Sequence, residues 1–202
     1  MKTPLLIGTA LLGAAAVAGV LALQYRETGG SCSATAVAGG AIGGPFELVD
    51  ETGQTVTESD VITGPTLIYF GYTFCPDVCP IDNQRNAIAV DLLAERGHEV
   101  TPVFITVDPA RDTVDVVRDY TENFHEKMIG LTGSAEQVAG AASAYRVLYN
   151  ARVDEDPEYY LVDHSVFTYL TLPETGFAEF FRREDSPEVM ADRVACILDE
   201  LE

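Results

Sequence analysis

Hydrophobic and polar positions follow two different spacings from residue 44 onward, and these spacings predict strands and helices in turn. Apolar and polar residues alternate on both sides of Glu51-Thr52-Gly53, which predicts an antiparallel hairpin over 46–57. Further strands are predicted at 66–72, 100–107, 129–132, 166–172 and 177–181, with Leu161 and Val162 leading into the fourth. Helical spacing predicts helices at 82–95, 108–124, 134–145 and 187–201.

Strands and helices that alternate in this order predict an α/β fold with a central mixed sheet. We expect mainly parallel pairing, helices on both faces of the sheet, and a last antiparallel hairpin around the turn at 173–176. The order resembles the thioredoxin-like fold, in which a redox pair of thiols follows the first buried strand. The sequence therefore predicts a thioredoxin-like sandwich.

The residues before this domain predict a membrane anchor and a tether. Residues 5–23 carry no charge and are long enough to cross a hydrocarbon core of about 30 Å. Residues 24–43 are rich in small residues, which is typical of a flexible linker. With Lys2 before the apolar run, the positive-inside rule predicts a cytoplasmic N-terminus at 1–4 and a domain at 44–202 across the membrane. A signal segment that is cleaved off is the alternative for 5–23.

The charge of the chain limits its partners. Its formal net charge is −20 and its isoelectric point is near 4.2. Nucleic acid and anionic lipid surfaces would be repelled by such a chain. We therefore exclude nucleic acid as a partner.

Cys75 and Cys79 lie directly after the buried run 66–70, where the predicted strand leads into a helix. The start of a helix has unpaired backbone N–H groups and the positive end of its dipole, and both favour thiolate over thiol. Residues four apart share one helix face, so both sulfurs can reach a soft metal ion or each other. A purely structural disulfide is disfavoured, because so short a loop removes little entropy from the unfolded chain.

The other two cysteines have no local partner. Cys196 falls on the apolar stripe of the last predicted helix, so we predict that it is a small core residue. Cys32 lies in the predicted tether and has no evident mate.

His164 lies in the segment that approaches the thiols in a fold of this kind. Thioredoxin-type exchangers usually have two residues between their cysteines and a cis-proline opposite them. This chain has three residues between its cysteines, and no proline in 161–166. Two thiolates and an imidazole form a ligand set that suits copper, and copper(I) best matches the softness of thiolate.

Four blocks of sequence within 44–200 form a recognisable set. They are 70–80 with its two cysteines, 107–113 with Val107-Asp108-Pro109 and Arg111-Asp112-Thr113, 129–133, and 162–170 with Val162-Asp163-His164-Ser165. Together these blocks resemble the Sco/SenC family of copper chaperones, and they occur in the family's order.

The resemblance implies a thioredoxin-like domain held to a membrane by one N-terminal helix and facing the periplasm or the intermembrane space. It implies one copper ion per domain, as Cu(I), Cu(II) or both, with Cys75, Cys79 and His164 as ligands. Members supply copper to the binuclear copper site of cytochrome c oxidase, or prepare that site by reducing its cysteines. The implied partners are the copper-bearing oxidase subunit and another periplasmic copper chaperone or thiol reductant.

One residue departs from the family pattern. Phe74 occupies the position at which many members have a second histidine, directly before the first cysteine. Because that position is not one of the three ligands, the departure leaves the main site intact.

Asp77 and Asp163 flank the implied ligands. A carboxylate beside an imidazole can orient it or raise its basicity, but either residue can equally be a cap or turn residue. Residues 108–113 either shape a rim at which a partner docks or form the entry turn of a helix. We expect His98 and His125 to face solvent at helix ends or loops, away from the copper site.

Two functions of different classes follow. One is a membrane-tethered metallochaperone, in which oxidation to a Cys75–Cys79 disulfide expels the metal. The other is a thiol-disulfide oxidoreductase that reduces the cysteines of an oxidase subunit. A peroxiredoxin-like peroxidase is disfavoured, because Tyr72-Thr73-Phe74-Cys75 is a poor match to the Thr/Ser-x-x-Cys turn of that group. Redox sensing through the same thiols is a further alternative.

Overall fold

The computed structural model of the chain describes residue 32, residues 42–153, residue 156 and residues 159–201. The predicted anchor at 5–23, the residues before it and nearly all of the predicted tether lie outside the described residues. No helix within the described ranges has both the length and the apolar character needed to cross a membrane. The elements below belong to one compact unit, Ala34–Glu202.

Nine strands are present in the described residues. They are β1 (Glu47–Asp50), β2 (Thr55–Thr57), β3 (Thr66–Gly71), β4 (Thr101–Thr106), β5 (Ile129–Thr132), β6 (Tyr149–Ala151), β7 (Val162–His164), β8 (Thr168–Leu172) and β9 (Gly176–Phe181). Seven of them form one sheet in the order β2-β1-β5-β4-β3-β8-β9. Strands β3 and β5 pair parallel with β4, and the other four neighbouring pairs of this sheet are antiparallel. The predicted mixed sheet is confirmed, but the expectation of mainly parallel pairing is wrong, because an antiparallel hairpin flanks the parallel strands on each side.

Five helices are present in the same residues. They are α1 (Glu58–Val61), α2 (Val78–Ala94), α3 (Val114–Thr121), α4 (Ala135–Ala144) and α5 (Pro187–Asp199). Helix α4 begins directly after Ser134, which caps it, in agreement with the predicted start. The Ser134 hydroxyl accepts the N–H of Gln137, and the Gln137 side chain accepts the N–H of Ser134, which together form a capping box.

Strand β3 leads the chain to the two cysteines. All six of its residues are buried, and it lies between β4 and β8. Burial on both faces explains why its sequence is a continuous apolar run rather than an alternating one. A Cβ atom at Gly71 would lie 2.8 Å from the Tyr69 ring and 3.1 Å from the Cys79 sulfur. Glycine therefore allows the first turn of α2 to pack directly on the end of β3.

Two helices begin at residues other than those predicted. Helix α2 begins at Val78 rather than at residue 82. Pro80 is tolerated there because N–H groups in the first turn have no acceptor within the helix. Helix α3 begins only at Val114, because 108–113 forms the entry turn, in which the Arg111 and Asp112 N–H groups donate to the Asp108 carbonyl.

The hairpin of β6 and β7 was not predicted. Leu161 and Val162 do not lead into β8. Instead, Val162–His164 pairs antiparallel with Tyr149–Ala151, and the two strands form a sheet of their own. This hairpin carries His164.

The predictions for Cys196 and Cys32 are wrong. Cys196 is exposed and disulfide-bonded, and the buried stripe of α5 runs through Met190, Ala191, Val194 and Ala195 instead. Each helical residue advances by about 100°, so the residue after Ala195 turns away from that stripe. Cys32 is also disulfide-bonded, so it does not lack a mate.

Asp112 joins three segments around the end of β3. Its buried carboxylate accepts hydrogen bonds from the Thr73 N–H at 3.0 Å, the Thr73 hydroxyl at 2.6 Å and the Thr106 hydroxyl at 2.6 Å. Its main-chain carbonyl accepts from the Thr132 hydroxyl at 2.6 Å. Thr73 lies two residues before Cys75, so Asp112 fixes the loop that carries the first cysteine.

We expect Asp112→Ala to lower the free energy of unfolding by about 3 kcal/mol, because one buried donor and two partly buried donors lose their shared carboxylate acceptor. Guanidinium denaturation of the reduced protein measures this change. Asp115→Ala is the matched control, since that carboxylate is 80% exposed, and we expect it to change stability by no more than about 0.5 kcal/mol. Equal losses in the two variants would contradict the role given to Asp112.

Candidate metal centre

Cys75 and Cys79 lie on either side of the start of α2. Cys75 belongs to the loop before the helix, and Cys79 lies in the first helical turn. Cys79 is completely buried, whereas Cys75 is 9% exposed. Cys75 is therefore the thiol that a reactant meets first.

The start of α2 stabilises a negative charge on Cys75. The backbone N–H of Cys79, which has no acceptor within the helix, donates to the Cys75 sulfur at 3.3 Å. Hydrogen bonding from the Cys79 side chain lowers the pKa of Cys75 most, with the backbone N–H groups of Cys79 and Asp77 adding to the effect. Burial opposes the shift, and the resulting pKa of Cys75 is about 3. Cys75 is thus a thiolate at neutral pH.

Cys79 has the opposite tendency. The Cys75 thiolate accepts a hydrogen bond from the Cys79 thiol and so raises the pKa of Cys79, and burial raises it further. The pair consequently holds one thiolate and one thiol. This arrangement is typical of dithiols in which one sulfur attacks and the other follows.

His164 presents a lone pair to these sulfurs. Its Nε2 lies 3.3 Å from the Cys79 sulfur, and its Nδ1 lies 2.9 Å from the Ser165 carbonyl oxygen. A carbonyl only accepts hydrogen bonds, so Nδ1 must carry the proton, and in the neutral ring Nε2 is left unprotonated. The ring stands edge-to-face with Tyr72 at 5.8 Å between centroids, which limits its rotation. The nitrogen is therefore prepared to act as a ligand.

The three donor atoms fit a single ion. The sulfurs of Cys75 and Cys79 and a ring nitrogen of His164 all lie within 4.8 Å of one another. Ligands at about 2.0–2.3 Å from a common metal are at most about 4.6 Å apart, so small side-chain rotations complete the site. Two sulfur donors and one imidazole suit a soft ion such as copper(I).

In the described residues, neither of the two carboxylates that flank the ligands hydrogen-bonds to the imidazole. Asp77 is exposed at the N-cap of α2, and its backbone N–H contributes to the lowered pKa of Cys75. The Asp163 carboxylate forms an ion pair with Arg152, in which Arg152 Nε donates at 2.7 Å. The group that holds His164 is instead the Ser165 carbonyl, a backbone atom that no side-chain pattern can indicate.

The other two histidines lie away from the three donor atoms. The prediction that they face solvent is wrong. The side chains of His98 and His125 are only 13% and 10% exposed. The Nε2 of His98 lies 3.3 Å from Asp199, and that of His125 lies 3.3 Å from Asp91. Both histidines pack at helix ends against acidic partners.

Asp82 is a buried polar residue behind Cys79 that the sequence analysis did not identify. The Tyr69 hydroxyl, which also interacts with Cys79, donates to Asp82 at 3.1 Å, and Asp82 is 1% exposed. Burial raises the pKa of Asp82, and the guanidinium of Arg85 at 3.6 Å opposes this. The signal was available, since polar residues replace apolar ones on the inner face of the first turns of α2.

Comparisons with known proteins find one family that matches most of the chain. The model of the SCO1/SenC family matches residues 34–199. Protein SenC of Rhodobacter capsulatus is 58% identical over 168 residues, which are 83% of this chain and 76% of that protein.

Solved structures of relatives share the fold. The copper-bound crystal structure of ScoI from Arabidopsis thaliana has a TM-score of 0.75 and 43% identity, and the match covers 79% of this chain and 99% of that chain. Copper-bound yeast Sco1 has a TM-score of 0.74 and 35% identity, covering 79% of this chain and 90% of that chain. The predicted thioredoxin-like fold is confirmed, and the chain belongs to the SCO1/SenC family.

Proposed function

We propose that the protein is a copper metallochaperone that holds one copper ion through Cys75, Cys79 and His164. The observation that carries the proposal is the convergence of two sulfurs and one ring nitrogen within 4.8 Å at the start of α2. Copper is the cargo of this site rather than a resident cofactor. The copper-bound structures of ScoI and yeast Sco1 support the choice of metal.

The charge of the site favours uptake of a soft cation. The thiolate of Cys75 is present before the metal arrives, so the first bond requires no loss of a proton. Cys79 is a thiol, and metal binding would displace its proton to the surroundings. His164 adds a neutral donor. The ligand set therefore has two soft thiolates, while its third donor adds no negative charge.

The same donor set allows release. Three protein ligands leave room for incoming thiolates of a partner, so copper can pass by exchange of one ligand at a time. Cys75 is the more exposed sulfur and Cys79 is enclosed, so the partner would first compete with Cys75. Oxidation of the pair to a disulfide removes both thiolates and expels the ion.

We further propose that the domain works in the periplasm, or its intermembrane-space equivalent, on a tether anchored by residues 5–23. The uncharged run at 5–23 and the small residues at 24–43 support this arrangement. The proposed partner is the copper-bearing subunit of cytochrome c oxidase, with another periplasmic copper chaperone or a thiol reductant acting upstream. Membership of the SCO1/SenC family supports that assignment.

A thiol-disulfide oxidoreductase is the second candidate function, and the asymmetry of the two thiols favours it. The Cys75 thiolate would attack a partner disulfide, form a mixed disulfide and release one partner thiol. Cys79, on losing its proton, would then attack Cys75. The products are a Cys75–Cys79 disulfide and two reduced partner cysteines, so two electrons pass to the partner.

His164→Ala should weaken copper(I) binding by more than about 100-fold, since losing a ligand should cost more than losing an outer residue that supports one. The measurement is competition with a chromophoric copper(I) chelator, using reduced full-length protein without oxygen. His98→Ala is the matched control, because it also removes a histidine that is largely shielded from water, but one that pairs with Asp199 rather than with the sulfurs. Copper affinity that is equal in wild type and His164→Ala would refute the three-ligand site.

Alkylation of Cys75 should be nearly independent of pH from about pH 5 to about pH 8. A lowered pKa keeps the thiolate ionised throughout this window, and reactivity is lost only as the pH falls towards the pKa of about 3. Iodoacetamide kinetics with mass-spectrometric location of the label measure this. Cys79→Ala removes the largest cause of the shift and should move the midpoint upwards. A wild-type midpoint near 8.5, the ordinary value, would contradict the preformed thiolate.

A complementation assay in cells that lack the protein distinguishes the two candidate functions. If the protein delivers copper, His164→Ala should fail to restore oxidase activity, while the purified variant still reduces a disulfide substrate. Oxidase activity and disulfide reduction are measured side by side, with His98→Ala as the control. Full restoration by His164→Ala at ordinary copper levels would instead establish thiol reduction as the sufficient function.

A further inference from the structure

The hairpin that carries His164 is attached to the domain in a particular way. Strands β6 and β7 pair only with each other in the described residues, so the main sheet does not hold them by backbone hydrogen bonds. Val162 is 4% exposed and packs in the core. A polar attachment precedes it at Tyr160, just before β7 begins.

This polar attachment consists of Tyr160, Asp108 and Arg111, which we name the Tyr160 clasp. The Tyr160 hydroxyl donates to one Asp108 carboxylate oxygen at 2.7 Å, and Arg111 Nε donates to the other at 2.5 Å. The guanidinium carbon of Arg111 lies 3.6 Å from the centroid of the Tyr160 ring. Each pair of members is therefore in contact.

The clasp also reaches the segment that carries the cysteines. The guanidinium of Arg111 lies 4.9 Å from the ring centroid of Phe74, the residue directly before Cys75. Arg111 thus stands between an aromatic ring of the cysteine loop and one at the entry to β7. The two segments that bring ligands to the site meet through it.

The three members of the clasp are largely shielded from water, which strengthens the contacts between them. Asp108, Tyr160 and Arg111 are 4%, 9% and 15% exposed. Hydrogen bonds to a carboxylate are stronger when water is excluded, and a cation gains most from an aromatic face when it is desolvated. Ion pairs that are fully open to water offer no comparable restraint.

We infer that the Tyr160 clasp positions His164 beside the two sulfurs. Tyr160 lies four residues before His164, and a strand rises about 3.3 Å per residue, so the clasp acts from about 13 Å along the chain. Its members are positioning residues and not ligands. The inference rests on the proposed function only where it concerns copper binding. The effect of the clasp on the hairpin does not depend on a metal ion.

The first test needs no metal. In the reduced protein, Tyr160→Phe removes one donor and keeps the ring, while Arg111→Ala removes the stacked cation. Each should accelerate amide hydrogen exchange in β6 and β7 by about tenfold or more, with β3 and β4 unchanged. Arg118→Ala is the matched control, because that arginine pairs with exposed Asp115 and Asp119. Unchanged exchange in β6 and β7 would overturn the inference.

The second test places the effect on His164. Both clasp variants should weaken copper(I) binding by about 10-fold to 100-fold, as supporting residues of metal sites do. In a His164→Ala background they should cause no further loss, and Cys75 alkylation should keep its wild-type pH profile. A loss that persists without His164 would overturn the inference, because the clasp would then act through Phe74 and the cysteine loop.

The two proposals fail in different ways. Wild-type protein that binds no copper would refute the proposed function, while faster exchange of β6 and β7 in the variants would still support the clasp. Wild-type protein that binds copper, with clasp variants that match it in both affinity and exchange, would refute the clasp alone.

Discussion

The contact between the Cys75 sulfur and the first turn of α2 is the interaction on which the site depends. Strand β3 is buried on both faces, and its end at Gly71 has room for the helix to start directly above it. The N–H of Cys79 has no acceptor within the helix, so the Cys75 sulfur accepts it at 3.3 Å. Negative charge is favoured at that end of a helix. The thiolate is therefore a consequence of where a strand ends and a helix begins.

The rest of the site comes from a distant part of the chain. His164 is 85 residues from Cys79, and the Ser165 carbonyl selects the ring form whose Nε2 has a free lone pair. One negative charge is already present before a metal ion arrives. The negative charge and the soft sulfur donors therefore both attract a soft monovalent ion. The Nε2 atom of His164 can bind that ion without first losing a proton. Buried Asp82 stands behind this set, and Tyr69 lies between its carboxylate and Cys79.

Local patterns predicted the parts of the fold that local physics determines. The apolar run of β3 and the Ser134 cap of α4 each depend on neighbours in sequence, and both were correctly located. The start of α2 was missed because buried Asp82 and Arg85 interrupt its apolar spacing. The hairpin of β6 and β7 was missed because its strands have three residues each and show no clear alternation. His164 was proposed as a donor from its place in a thioredoxin-like fold, where the segment 161–166 lacks the usual proline, and the resemblance to a family assigned it as a ligand. Local spacing alone could not do this, since the position of His164 depends on that hairpin.

The two candidate functions make different demands on the same sulfurs. Disulfide exchange needs the Cys75 thiolate and a second sulfur within reach, and both are supplied by the short segment between β3 and the first turn of α2. Copper binding also needs Nε2 of His164, which reaches the sulfurs only when the separate hairpin is held in place. A change that releases β7 but leaves α2 intact would therefore weaken metal binding and preserve thiol chemistry. If both the proposed function and the inferred clasp hold, the attachment of the hairpin, and not the reactivity of the thiols, determines which of the two chemistries the protein can perform.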